Sequence, residues 1–373
     1  MKLWKNKFMP RKQKTIFVAM SGGVDSSVAA ALLKKQGLNV VGVFMRCVNL
    51  DGCAVKDAED ARRVAEHLDI PFYVFDLEDE YRRRVVDYMI GGYRKGTTPN
   101  PDVMCNKEIK FGLFLKKACA LGADGIATGH YARVRTVQGR PALFAAKDAN
   151  KDQSYFLWTL TPEVLKLCRF PIGEYLKPDV RKLARRFGLP TAEKKDSQGI
   201  CFLGRVSLRD FLKAHIPERT GAILAADGTK VGEHRGAWFY TVGQRHIGAA
   251  NRGTGAGEAK PLYVAEKNVE SNTLIVAEGD DNAALHRKGV RLADVNLIRP
   301  LSSLIRANRR IRNDGIQTFA RVRYRQPLAE ATLARTRRGY TLVFKKPQRF
   351  VAAGQSAVFY AKDGEVLGGG VIL

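Results

Sequence analysis

The sequence has no apolar run approaching the roughly 18 residues that a membrane-spanning helix needs, so no membrane partner is expected. Its 6 cysteines, at 47, 53, 105, 119, 168 and 201, lack the CxxC spacing of a zinc site, and no resident metal site is expected. That usage suits a reducing compartment, here the cytoplasm, in which some thiols are kept for chemistry. Acidic residues are scarce: 37 Asp and Glu stand against 63 Lys and Arg, a formal net charge of +26. Such an excess points to a polyanionic partner, RNA or DNA, because each neutralised phosphate releases counterions and steers association. Internal repeats and long low-complexity linkers are also missing. The N-terminal MKLWKNKFMPRKQK is basic and acid-free but lacks the Ser-rich, Arg-rich amphipathic character of a transit peptide, and is read as a short basic arm.

At 373 residues with 45% hydrophobic content, the chain can fill two or three domain cores. Apolar runs and helical spacings alternate through the first half. The patterns predict strands at Thr15–Val18, Val40–Met45, Phe72–Phe75 and Gly125–Thr128, and helices at Ser26–Gln36, Asp57–Leu68, Glu108–Leu121 and Val180–Phe187. This is the doubly wound pattern: an α/β fold with a parallel sheet and a ligand at the carboxyl ends of its strands. Past about residue 210 short β-rich runs take over, at Gly236–Thr241, Leu262–Ala265, Thr273–Val276, Phe319–Tyr324, Tyr340–Phe344 and Ala357–Tyr360. They argue for a small β-containing middle domain and a C-terminal β-barrel. The expected division is 1–213, 214–287 and 288–373.

The first strand ends in AMSGGVDSS, Ala19 to Ser27. Two glycines let the backbone approach a ligand, and the helix N-terminus beyond them is an anion site. No Gly-Lys-Ser/Thr follows, so this is not a Walker loop, and it is not GxGxxG. SGGVDSS resembles the PP-loop of ATP pyrophosphatases, which split ATP between its α and β phosphates. A lone tight turn would favour the same residue types, but its strand-helix-strand setting favours the functional reading. Asp25 fits either a magnesium ligand, direct or through water, or a helix-capping role.

Two further stretches frame a candidate centre, TTPNPDVMCN at 97–106 and KDSQGICFLG at 195–204. Pro99 and Pro101 stiffen a loop expected to present Asp102 and Cys105 ahead of a helix beginning near Lys107. A thiol beside that helix N-terminus and beside Lys107 and Lys110 is expected to be activated. Cys201, near Lys194 and Lys195, reads as a second loop thiol. Either cysteine alone could be inert and buried. In the expected barrel the alternation of Arg321, Arg323 and Arg325 predicts three arginines on one strand face, an RNA-backbone grip or an ordinary solvated face. Further basic runs lie at 306–312 and 335–338.

Taken in order, SGGVDSS, TPNPDVMCNKEIKFG, TGHYAR, KDQSYFLW, DSQGICFLG, TVGQRHIG and GQSAVFY with VLGGGVIL resemble the tRNA-specific 2-thiouridylase family over essentially the full chain. The resemblance implies a PP-loop ATP pyrophosphatase sheet and ATP-dependent 2-thiolation of the wobble uridine of tRNA, yielding AMP and pyrophosphate. It assigns ATP, with Mg²⁺, to Ala19, Met20, Ser21, Gly22, Gly23, Val24, Asp25 and Ser26, with Met45 and Gly129 at the adenosine. It makes Cys201 the bearer of a persulfide supplied by a cysteine desulfurase or sulfur-relay protein. Cys105 becomes the nucleophile that either releases the sulfur, closing a transient Cys105–Cys201 disulfide, or assists its attack, and Asp102 the acid/base or orienting group. The target base is assigned to Asn100, Pro101 and Asp102. The tRNA, of the lysine, glutamate or glutamine type, is assigned to Lys151, Asp152 and Gln153 with His130, Arg323, Tyr324 and Gln355. The expected state is a monomer.

Departures from the family pattern are the cysteines at 47 and 53, where relatives carry a more acidic loop, the basic stretch at 301–318, and Ala353 where proline is common. Two rivals remain: an amidating synthetase on the same loop, which would tolerate loss of both thiols, and a non-catalytic RNA-binding protein, which would not turn over ATP with tRNA.

Overall fold

The computed structural model describes residues 13–47, 52–195, 206–247, 260–299, 315–337 and 339–373. Strand β1 (Thr15–Ala19) leads through the serine-glycine turn into helix α1 (Val24–Lys35), then β2 (Asn39–Arg46), α2 (Cys53–His67) and β3 (Phe72–Asp76). A helical stretch follows, α3 (Glu78–Tyr81) and α4 (Asp87–Arg94) around a wide π turn at Arg82–Val86. Next comes one continuous helix: α5 (Pro101–Met104), a π-helical run at Cys105–Phe114, and α6 (Leu115–Ala120). β4 (Gly125–Thr128) returns to the sheet, a hairpin of β5 (Ala132–Val137) and β6 (Arg140–Ala145) projects from it, and α7 (Pro162–Leu167), β7 (Cys168–Arg169) and α8 (Lys177–Arg186) complete the unit. The strand order is β3-β2-β1-β4-β7 and all pairs are parallel.

The order places the chain's reversal between β1 and β4. Loops leaving neighbouring strands on opposite sides there open a crevice at the carboxyl ends. Central strands of a doubly covered sheet bury both faces, and residues 16–19 of β1 and 40–44 of β2 are buried, whereas edge β3 leaves Tyr73 and Val74 exposed.

Beyond α9 (Leu208–Lys213), β8 (Gly221–Leu224), β9 (Lys230–His234), β10 (Leu262–Asn268) and β11 (Thr273–Glu278) form a four-stranded sheet in the order β10-β11-β8-β9. The last unit is a closed six-stranded barrel of β12 (His286–Leu297), β13 (Ile316–Arg321), β14 (Ala329–Thr336), β15 (Gly339–Arg349), β16 (Ser356–Tyr360) and β17 (Val366–Ile372), all neighbours antiparallel. Closure removes the unpaired edges such short strands would otherwise expose. The α/β fold with a β middle unit and a terminal barrel is therefore as the sequence indicated.

Three local expectations are corrected. The helix expected from Glu108 begins at Pro101, because the Asn100 side chain accepts the Val103 N–H at 3.2 Å and proline at the first position needs no donor. The strand expected at Gly236–Thr241 is a single 3₁₀ turn, Ala237–Phe239. Gly236 has φ of 131° and no space for a Cβ beneath the Trp238 ring, and Asn272 accepts the Ala237 N–H. The three arginines do not share a strand face: β13 stops at Arg321, and the chain turns so that Arg325 has φ of 67°.

The barrel is held to the first unit by the stretch around 152–160. Trp158 Nε1 donates to Ser356 Oγ at 3.0 Å, Tyr155 OH to the Ser356 carbonyl at 2.8 Å, and Asn296 Nδ2 to the Trp158 carbonyl at 2.7 Å. Gly369 lies so close under the Trp158 ring that a Cβ would meet it at 2.6 Å. At the centre, Arg321 pairs with Asp152 at 3.1 Å, both buried. Removing one member of a buried pair strands the other's charge. Asp152→Ala should therefore lower unfolding stability by about 3–5 kcal/mol in urea melts, and a variant as stable as the parent would show the pair to be dispensable.

Candidate functional site

The crevice has a phosphate end and a thiol end. At the first, Gly22 has φ of 71°, and a Cβ there would sit 2.2 Å from the Asp57 carbonyl oxygen, so only glycine fits between the loop and α2. Gly23 is the N-cap of α1 without a side-chain cap. The Ser21 N–H donates to Ser26 Oγ at 3.2 Å, while the Ser26 and Ser27 hydroxyls donate to the Gly23 carbonyl at 3.1 and 2.8 Å. The N–H groups that open α1 and the exposed Ser21 thus edge one cradle for an oxyanion. Ala19, Met20 and Val24 form its buried floor, and Met45 lies half-buried at the end of β2. Across the crevice Gly129 closes on it: a Cβ would lie 2.6 Å from the Ser26 nitrogen.

Asp25 is neither a cap nor a free metal ligand. Lys177 Nζ donates to both its oxygens at 2.8 Å and Tyr131 OH to one at 2.8 Å. Lys177 is buried, and its ammonium is held against the first turn of α1 through Asp25. Among the described residues no cluster of three His, Cys, Asp or Glu could hold a metal ion. A second cation, Lys194, reaches Asp57 at 2.7 Å and Asp60 at 2.5 Å from the stem that leads to residue 196. Burial opposes its charge, but these carboxylates outweigh burial and hold the ammonium above its usual range. Neither Lys177 nor Asp57 stood out in the sequence, since each lies in an ordinary helical stretch and the pairings join residues 152 and 137 positions apart.

At the thiol end, Asn100, Pro101 and Asp102 open α5, and Cys105 lies one turn on in the helix rather than on a loop. Its thiol is buried in an apolar cluster with Tyr81, Val85, Met89 and Ile109. Asp102 is three positions from Cys105 in the same helix. Burial pushes the Asp102 carboxyl above the usual aspartate range, and Lys110 draws it back only in part. Cys201 and the rest of 196–205 lie outside the described residues, as do the basic stretch at 306–312 and Arg338.

The proposed RNA-side residues divide by exposure. Lys151, Gln153, Tyr324 and Gln355 are half-buried, while Asp152 is buried and committed to Arg321. Gln153 Oε1 accepts the Tyr131 N–H at 2.9 Å, and Gln355 Nε2 donates to the Thr98 carbonyl at 2.8 Å. Arg323 donates to the Val242 carbonyl, stitching barrel to middle unit, and Tyr324 packs on Phe156 with ring centres 4.4 Å apart. His130, buried between Phe111 and Phe170, shares a hydrogen bond with Thr128 Oγ1 at 2.8 Å. Burial holds its imidazole well below the usual histidine range, and nearby Lys110 adds to the effect.

The three units correspond to three known families. A family model described as the tRNA methyl transferase HUP domain matches residues 14–205, the tRNA methyl transferase PRC-barrel domain matches 209–278, and the aminomethyltransferase beta-barrel domain matches 288–372. The chain is 45% identical to a tRNA-specific 2-thiouridylase MnmA 1 of Geobacillus kaustophilus, over 94% of this chain and 94% of that protein. It is 43% identical to a tRNA-specific 2-thiouridylase MnmA of Pseudomonas fluorescens, over 97% and 95%. Among solved structures, a 4-thiouridine synthetase in complex with RNA and bound ATP is 18% identical with a TM-score of 0.34, covering 55% of this chain and 50% of that one.

A histidine kept neutral by burial contributes stability above its ordinary value near 6.5 that is lost as pH falls below it, because the unfolded chain then binds the extra proton. The melting temperature should therefore decline on acidification from pH 7 to 5, and less steeply in His130→Asn. Parallel slopes for the two proteins would refute a neutral, buried His130.

Proposed function

The chain belongs to the tRNA-specific 2-thiouridylase family, and from that membership we propose how its crevice carries out the reaction. It is a tRNA-uridine 2-sulfurtransferase that uses ATP. The finer reading is that the wobble uridine of a lysine, glutamate or glutamine tRNA enters beside Asn100–Asp102 and ATP occupies Ala19–Ser26 with Met45 and Gly129. The uracil O2 attacks the α phosphorus and pyrophosphate leaves, so the oxygen departs later as AMP. Positioning and fixed positive charge supply most of the help that phosphoryl transfer needs.

Sulfur then arrives as the outer atom of a Cys201 persulfide and bonds to C2. In one route Cys105 thiolate attacks the inner sulfur, the S–S bond breaks toward the base, AMP leaves, and a Cys105–Cys201 disulfide holds the oxidising equivalents until a thiol reductant clears it. In the other, that same exchange occurs first, and the hydrosulfide it releases adds to C2. Asp102, kept toward its acid form by burial, can donate a proton or orient the base. Magnesium would come bound to the triphosphate, because Asp25 is already held by Lys177 and Tyr131. The sulfur-relay partner, the domain limits at 213 and 288, the cytoplasmic setting and the monomeric state belong to the same proposal. No helix among the described residues is long and apolar enough to cross a membrane.

The observation that carries this reading is the juxtaposition itself. The serine-glycine loop opens at the sheet's switch point, and the capped helix bearing Asp102 and Cys105 belongs to the same unit. The matching domain descriptions name methyl transfer, yet that reaction has no use for a loop built to part ATP from its pyrophosphate. An amidating synthetase would use the loop but neither thiol. Purified protein given unmodified tRNA, ATP-Mg²⁺ and a persulfide-generating desulfurase should form 2-thiouridine at the wobble position, read by nucleoside mass spectrometry. Cys201→Ser and Cys105→Ser should each abolish the thiolated nucleoside while tRNA-dependent pyrophosphate release persists. Full thiolation by both variants would overturn the cysteine roles, and pyrophosphate release with no thiolated base in the parent protein would overturn the substrate.

A further inference from the structure

One helix face carries a residue that the reaction above does not use. Asn106 stands four positions after Asp102 and next to Cys105, 2% exposed. Its Nδ2 donates to the Phe156 carbonyl at 3.2 Å. A peptide carbonyl can only accept, so that bond fixes which way the amide faces. The other end, Oδ1, is shut off from solvent and has no hydrogen-bond partner. A buried acceptor left without a donor costs free energy, and one kept in a folded protein calls for an occupant in another state. The occupant must bring its own N–H or O–H and displace the side chains that seal the atom. The helix that places it beside Asp102 and Cys105 is the one assigned to the target base.

We propose that Asn106 is a specificity-determining residue that accepts the N3–H of the target uracil through Oδ1. The inference rests on the reading of a uridine substrate. Uracil presents a donor at N3 between two carbonyl oxygens, whereas cytosine presents a lone pair there. An acceptor whose amide nitrogen is already committed to Phe156 therefore welcomes the one base and repels the other. N3 is bonded to C2, so the same contact orients the carbonyl whose oxygen must reach ATP. A hydrogen bond given by N3–H also shifts electron density toward that oxygen. Rejection by an unpaired buried group is the strong form of selectivity, because the wrong ligand leaves the site's own polar atom unsatisfied.

The test is a double-mutant cycle between protein and RNA. Full-length tRNA is assembled with uridine or with 3-deazauridine, which has C–H in place of N3–H, at the wobble position. ATP-dependent pyrophosphate release is then followed with the parent protein and Asn106→Ala. The parent should favour uridine in kcat/KM by about ten- to hundredfold, the size expected for one hydrogen bond to a buried acceptor. In Asn106→Ala the ratio should fall to near unity. A parent protein indifferent to the deaza substitution overturns the proposal without any variant, and so does a folded Asn106→Ala that keeps the parental ratio. An ordered water satisfying Oδ1 permanently would give those results. A parent protein that turns over neither RNA refutes the uridine reading itself.

Discussion

The arrangement of this molecule depends on one residue of loop, Thr98. Its N–H donates to the Ala353 carbonyl at 2.7 Å, its carbonyl accepts from Gln355 Nε2 at 2.8 Å, and its hydroxyl meets that of Thr241 at 3.2 Å. One buried residue thereby joins the parallel-sheet unit to the barrel and to the middle unit. Gly354 packs against it so tightly that a Cβ would lie 2.8 Å from the Thr98 nitrogen. Asn100 begins the cap of α5 two residues later. The direction of the helix that carries Asp102, Cys105 and Asn106 is consequently set by contacts to all three units, and the thiol end is not the property of one domain.

Electrostatics divides the crevice in a complementary way. At the phosphate end the fixed cations are paired: Lys177 faces Asp25, and Lys194 lies between Asp57 and Asp60. On the proposed reading a polyphosphate would compete with carboxylates for these ammonium groups and would draw on the backbone N–H groups as well as on net charge. At the thiol end the groups are held toward their neutral forms, Asp102 and His130 by burial. The two ends thus offer the different surroundings that the proposed uracil and triphosphate would need.

The fold was legible because its signals are local and repeated. Alternation of strands and helices specifies a parallel sheet, and Ser-Gly-Gly after an apolar run marks a ligand loop. The start of α5 is harder to place because Pro99 and Pro101 read as a stiffened loop, although asparagine followed by proline is also a cap and first helical position. The arginine alternation misled for a different reason: two-residue periodicity continues through Arg325, and nothing nearby announces the left-handed residue that ends the strand. What the sequence could not reveal are long-range pairings. The resemblance places Asp152 of KDQSYFLW among the tRNA contacts, and nothing in that motif announces that its carboxylate meets Arg321, 169 residues away. Asn106 carried no signal at all, since its interest lies in a missing partner.

The π-helical run at Cys105–Phe114 holds Cys105 and Asn106 at its start and the core anchors Phe111 and Phe114 at its end. Such runs spend more residues per turn than an α-helix does, and arise when one residue too many is accommodated in place. Their phase is therefore adjustable in a way that an α-helix is not. In a regular α-helix, adding or removing one residue between Asn106 and Phe111 would turn the two ends by about 100° relative to each other, whereas a wide turn absorbs one residue and leaves both faces aimed as before. Homologous chains can thus differ by one residue in this segment and still aim their motif residues alike.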